Sequence, residues 1–175
     1  VGKQVEAEKY LDKLLVGIEG YQEVTPARIA WARRSKARVL ASSGSYQDYL
    51  QAIDLIRQNA PHDEQIGSAD LKVMAEITLP RPDPLSHKRI IKELEGIQEN
   101  RGLTIVESTF LARLYQRVNR FNDAEGVLFK IAAANPNHQV IVSLLVETLL
   151  KQDKYNDAEN WLNKLPENSL NRYRI

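Results

Sequence analysis

The chain has 175 residues, with 24 Lys and Arg against 23 Asp and Glu, 43% apolar residues, 27% charged residues and no cysteine. That length suffices for one ordinary domain with its own core, and a net charge of +1 leaves no bulk field to draw the chain to nucleic acid or anionic lipid. A disulfide framework, a thiolate nucleophile and cysteine-bearing zinc sites are excluded, and no run of about 18 apolar residues offers a membrane span.

The absence of cysteine leaves the redox compartment open, so cytoplasm and periplasm are both compatible. No basic stretch followed by an apolar core marks a signal peptide. The chain opens on Val1 rather than Met, as a fragment would whose targeting segment has been removed.

Helical periodicity runs through the whole sequence, and strand-like alternation is nearly absent. The first stretch, "VEAEKYLDKLL", reads as a helix with Ala7, Leu11 and Leu14 on one face. Turn signals then divide the chain at "IEGYQEVTP", "SSGSY" (42–46), "NAPHDE" (59–64), "LPRPDPLS" (79–86), "NRGLT" (100–104), "NPNH" (135–138) and "LPENS" (165–169). About nine helices fit between and around them. Thr25 before Pro26 suits a helix start. Ser45, Asn122 and Asn156 stand where short polar side chains cap helices. Asp123, Glu125, Asp157 and Glu159 would then put negative charge on first turns, which favours the helix dipole. A reading of these acids as paired catalytic carboxylates lacks any surrounding cleft residues.

The same helix start occurs twice. "RFNDAEGVLFKIAAANP" begins at Arg120 and "KYNDAENWLNKLP" at Lys154, each with a cation, an aromatic and then Asn-Asp-Ala-Glu. Phe121 and Tyr155, Ala124 and Ala158, and Leu128 and Leu162 are each 34 residues apart. A fixed period of this size in a helical chain marks stacked helix pairs. In the clearest unit, Ser108-x2-Leu111-Ala112-x2-Tyr115 is followed by Ala124-x3-Leu128 and Pro136. Small Ala112 and Ala124 would let two helices approach, while Leu111, Tyr115, Leu128 and Ile131 fill the seam and Pro136 ends the second helix.

This pattern resembles the tetratricopeptide repeat. The resemblance implies an all-α, right-handed superhelical solenoid of antiparallel helix hairpins. Residues 1–20 would be the second helix of a preceding repeat, 26–61 a repeat, 62–102 a degenerate repeat, 104–136 and 138–166 two further repeats, and 167–175 the start of the next element. The 26–61 unit departs at Lys36 and Tyr49, and Tyr49 should splay its hairpin. In the degenerate unit Leu71, Met74, Ala75 and Thr78 would form the first helix and Ile90, Leu94 and Ile97 the second. Leu11, Leu14 and Leu15 at one end, or Leu162 and Leu165 at the other, should leave apolar surface partly uncovered. Pentatricopeptide and half-repeat arrays share the hairpin, but the former are usually basic.

No catalytic set emerges, so neither an enzyme nor a cofactor is expected. His62, His87 and His138 each lie in or beside an expected turn, without the spacing that makes a metal site. No Gly-rich phosphate loop or nucleophile elbow occurs. Trp161 reads as inter-helix packing, and Trp31 as packing or a groove anchor.

In tetratricopeptide arrays the first helix of each pair lines a concave groove. Here that stripe would be Trp31, Arg34 and Arg38, then Ala69, Lys72 and Glu76, then Val106, Thr109, Arg113, Gln116 and Arg117, then Val140, Ser143, Glu147 and Lys151. Its cationic excess points to an acidic or C-terminal carboxylate ligand, with Arg34 and Arg38 sharing one acid. The peptide-binding residues expected are Trp31, Arg34, Arg38, Lys72, Thr109, Arg113, Gln116 and Arg117. The functional expectation is a non-catalytic protein-interaction scaffold within a larger protein or assembly. A self-association module is the alternative, and RNA binding a further one.

Overall fold

The computed structural model describes residues 2–19, 25–60 and 66–165. Those residues form nine helices and no strand: α1 (Gly2–Glu19), α2 (Pro26–Ala41), α3 (Tyr46–Arg57), α4 (Ser68–Thr78), α5 (Pro84–Arg101), α6 (Ile105–Arg117), α7 (Phe121–Ala134), α8 (Gln139–Leu150) and α9 (Tyr155–Leu162). The all-α, tetratricopeptide-like arrangement of helix pairs is thus observed. Gly20, Pro61, His62, Pro166, the element expected over 167–175 and the Leu14 side chain lie outside the described residues.

The helices form two compact units, Val1–Pro80 and Arg81–Ile175, and the division falls inside "LPRPDP". In the first unit α1 packs on α2, α2 and α3 form a hairpin, and α4 packs against both. Thr25 is the N-cap of α2 with Pro26 at its first position, and Ser45 caps α3 by accepting from the Asp48 N–H. Ala32, Ala37, Ala52, Ile53, Ile56, Leu71 and Met74 are fully or nearly fully buried. Tyr49 packs within the first unit. Its ring is buried, and its hydroxyl forms a hydrogen bond of 3.0 Å with Thr78 on α4. Leu11 and Leu15 are also buried and so do not supply the partly uncovered surface expected of them; Tyr10 and Val16 are exposed among the described side chains of α1.

In the second unit α5 packs on α6, and the pairs α6–α7, α7–α8 and α8–α9 continue the order. Asp83 caps α5 through the Ser86 N–H, so the helix begins at Pro84, inside the stretch that read as a turn. Ile90, Leu94, Leu111, Ala112, Ala124, Leu128, Val142 and Leu145 are buried. At the far end Leu165 is buried, against expectation, while Leu162 is only partly covered.

The 34-residue repeat has a concrete backbone cause. Asn119 and Asp153 both adopt left-handed conformations, with φ of 59° and 58°. Asn and Asp tolerate that region better than other side chains with a Cβ. Each lets the chain close the end of the preceding helix. The Arg120 N–H donates to the Tyr115 carbonyl and the Asn119 N–H to Gln116; Lys154 and Asp153 donate likewise to Leu149 and Leu150. The next helix then starts from an N-cap that is Arg120 or Lys154, with ψ of 61° and 62°. Neither cap uses a side-chain hydrogen bond. Asn122 and Asn156 are therefore not caps but second helical residues; the polar residue that matters comes three positions earlier.

The cation of each turn reaches back to the second helix of the preceding pair. Arg120 pairs with Glu95 on α5 at 3.0 Å, and Lys154 with Glu125 on α7 at 2.5 Å. Arg120 also stacks 4.4 Å from the centre of the Tyr115 ring, whose hydroxyl donates to Glu95. Burial, reinforced by the Glu95 carboxylate, holds that hydroxyl well above the usual phenol range.

Two expectations follow. Ala124→Leu should overpack the α6–α7 seam and lower stability by about 1–3 kcal/mol, read as a shifted thermal or urea midpoint. Burial alone would raise the Glu125 carboxyl, but hydrogen bonds from Lys154 and Gln152 outweigh it and hold it below its ordinary 4.5. Its stabilisation is therefore complete above that value and is lost as pH falls through the lower folded value. Melting temperature should fall less steeply below pH 4.5 in Glu125→Gln than in the parent.

Candidate peptide-binding face

In the first unit the expected stripe lies on α2 and α4. Trp31 is 55% exposed, and its backbone carbonyl accepts from the Ser35 hydroxyl. Arg34 is largely covered. Its Nη1 sits 3.1 Å from Oδ1 of Asp70, a carboxylate only 7% exposed. The same oxygen accepts from Asn59 Nδ2 at 2.7 Å, and Asn59 also reaches the Ala30 carbonyl. Arg33 donates to the Gln58 carbonyl at 2.8 Å and so ties down the end of α3. Arg34 thus belongs to a polar knot that joins α2, the α3 end and α4.

Arg38 donates to Glu76 Oε2 through both Nε and Nη2, at 3.2 and 2.9 Å, and Lys72 lies 4.0 Å from the other Glu76 oxygen. Arg34 and Arg38 each hold a separate carboxylate of α4. Glu76 was visible in the sequence stripe. Asp70 and Asn59 were not, because a first-turn acid and a turn amide look alike whether or not an arginine approaches them.

In the second unit the stripe lies on α6 and α8, which touch directly. Val106 and Val140 are exposed. The Thr109 hydroxyl donates to its own helix, at the Ile105 carbonyl. Gln116 is committed to the contact between the helices: its Nε2 donates to Thr148 Oγ1 at 2.7 Å and approaches the Leu144 carbonyl at 3.4 Å. Arg113 is half-buried, and its shielded Nε has no hydrogen-bond partner. The Ser143 hydroxyl, 9% exposed on α8, is likewise unpartnered. Arg117, Glu147 and Lys151 are exposed.

The other candidates divide as follows. His87 is not a solvated loop residue; it is buried in α5, because Asp83 starts that helix early. His138 is exposed at the start of α8. No group of three metal-ligating side chains occurs among the described residues, and none of their helices is long and apolar enough to cross a membrane. Trp161 packs as expected, edge-on to Phe129 with ring centres 5.7 Å apart.

Removing the buried acid should separate the structural pair from the surface one. Asp70→Ala should lower stability by about 1.5–3 kcal/mol, since hydrogen bonds to a charged group are lost in a covered site. Arg38→Ala should cost less than about 1 kcal/mol, as exposed ion pairs do. Urea unfolding of both variants checks this contrast.

Comparison with protein families finds that residues 118–174 match the model of the tetratricopeptide repeat. The match begins at the turn after α6 and takes in α7, α8 and α9. No curated protein and no solved structure matches the chain.

Proposed function

We propose that this chain, whose C-terminal third belongs to the tetratricopeptide repeat family, is a non-catalytic scaffold that receives a segment of a partner protein on the face of α6 and α8. The family generally mediates protein–protein interaction. The observation that carries the finer reading is the contrast between the two stripes. On α2 and α4 the cations are already matched by Asp70 and Glu76. On α6 no acid among the described residues pairs with half-buried Arg113 or with Arg117, which stands exposed one turn further on. Val106 and Val140 supply apolar surface beside them.

A peptide with an acidic side chain or a free C-terminal carboxylate suits this arrangement. Arg holds a carboxylate through two parallel N–H bonds, a geometry that Lys lacks. Thr109, Gln116 and Lys151 flank the same face. An open, solvated face of this kind supports affinity of about −8 kcal/mol, roughly micromolar, weakened by salt.

A second reading, self-association, is favoured by exposed Tyr10 and Val16 on α1. A mass by light scattering that stays monomeric as concentration rises would remove it.

The groove reading is tested with an acidic peptide library and fluorescence anisotropy. Arg113→Glu with Arg117→Glu should weaken the selected peptides by more than about tenfold, equivalent to about 1.4 kcal/mol. Unchanged peptide selection and affinity would sink the reading.

A further inference from the structure

A second surface of the Arg81–Ile175 unit carries an inference independent of the groove. A cleft of about 440 Å³ opens between α5, α6 and α7. That size lies within the range of small-ligand pockets, about 300–1,000 Å³. Leu103, Val127, Ile131 and the Tyr115 ring line it, and Gln98, Asn122 and Lys130 bring polar groups to it, beside Asp123, which pairs with Arg120. None of the stripe residues on α6 or α8 lines it.

The repeat itself shows why this cleft is open. One period later, the seam between α7 and α9 is closed by the Phe129–Trp161 pair. Thirty-four residues before Trp161 stands Val127, and thirty-four before Phe129 stands Glu95. Glu95 is engaged by the Tyr115 hydroxyl and by Arg120. Neither aromatic ring therefore has a counterpart at the same repeat position, and the ring that does reach the cleft, Tyr115, comes from α6.

Two neighbouring residues sharpen the comparison. Gly126 also lines the cleft, in the interior of α7, and a Cβ added there would meet nothing within 4 Å. Packing does not demand a glycine at this position, which weakens a helix relative to Ala. Its effect is to leave room. Lys130 stands where Lys164 stands one period later. Lys164 Nζ lies 3.5 Å from the centre of the Trp161 ring. Lys130 is exposed, and no acid among the described residues pairs with it. The α5–α7 seam thus keeps the cation of the later pair and lacks its ring.

We infer that this cleft receives an aromatic side chain of a partner polypeptide, inserted against Val127 and Ile131 and beneath Lys130, as Trp161 lies beneath Lys164. Gln98 and Asn122 carry amides suited to hydrogen-bonding the backbone on either side of that residue. The occupant is a tryptophan or another aromatic residue in an extended segment, because a cation over the ring favours aromatic over aliphatic side chains.

The test is an amide NMR titration of the whole chain with N-acetyl-tryptophanamide, with N-acetyl-leucinamide as the control. Saturable shifts centred on Gly126, Val127 and Lys130, stronger for the aromatic probe, are expected. Lys130→Gln should weaken binding by about 2- to 5-fold, the span of an exposed cation–π contact. Val127→Trp should fill the cleft from within and abolish binding. Shifts centred elsewhere, equal binding of both probes, or undiminished binding by Val127→Trp would each overturn the inference. Because these variants leave Arg113 and Arg117 intact, their outcome is separable from that of the groove.

Discussion

The left-handed turn at Asn119 and again at Asp153 is the constraint on which the repeat geometry depends. A helix ends with carbonyls that have no partner in the helix itself. At these two positions the chain reverses tightly enough for the next two N–H groups to meet them, from Asn119 and Arg120 and from Asp153 and Lys154. That closure sets the direction in which α7 and α9 leave. Only then can fully buried Ala124, or nearly buried Ala158, sit close to the preceding helix. The N-cap residue is a cation in both cases, and it fastens to an acid on the second helix of the pair before. Backbone closure and a short ion pair thus act at one point of each repeat.

Charge is handled differently on the two groups of first helices. Arg34 and Arg38 on α2 face α4, which presents Asp70 and Glu76. The knot of Arg33, Arg34, Asn59 and Asp70 satisfies groups that burial would otherwise leave at a cost. Arg34 is thereby a packing residue. On α6 the corresponding role falls to Gln116, a neutral side chain bonded to Thr148. The proposed binding face on that helix rests on this difference. The proposed aromatic cleft has a parallel origin, since one period of the chain carries a ring where its predecessor carries Val127.

Much of the fold was legible because periodic apolar residues and turn residues act locally. Leu111, Ala112, Tyr115, Ala124 and Leu128 announced a hairpin seam, and all five are buried. The degenerate unit was legible in its helices: Leu71, Met74, Ile90 and Leu94 are core residues of α4 and α5. The candidate site was legible only as a stripe. A run of Arg and Lys at helical spacing has the same appearance whether its charges meet solvent, a ligand or an acid on a neighbouring helix. His87 shows the same limit. Three prolines around it suggested a loop, but Asp83 capped a helix inside that stretch and carried the imidazole into the core.

By itself, then, the sequence determined the helical class, the 34-residue period, the hairpin seams and the residues of the first-helix stripe, because each follows from spacing along the chain. The tertiary structure alone decided which cations are neutralised, where the repeat turn is capped and where a seam stays open. Those outcomes depend on side chains brought together from distant positions: Arg34 with Asp70, Gln116 with Thr148, Lys154 with Glu125, and Phe129 with Trp161. Hydrogen bonds and ion pairs act over a few ångströms, so their partners are set by how the helices pack and not by spacing within any one of them.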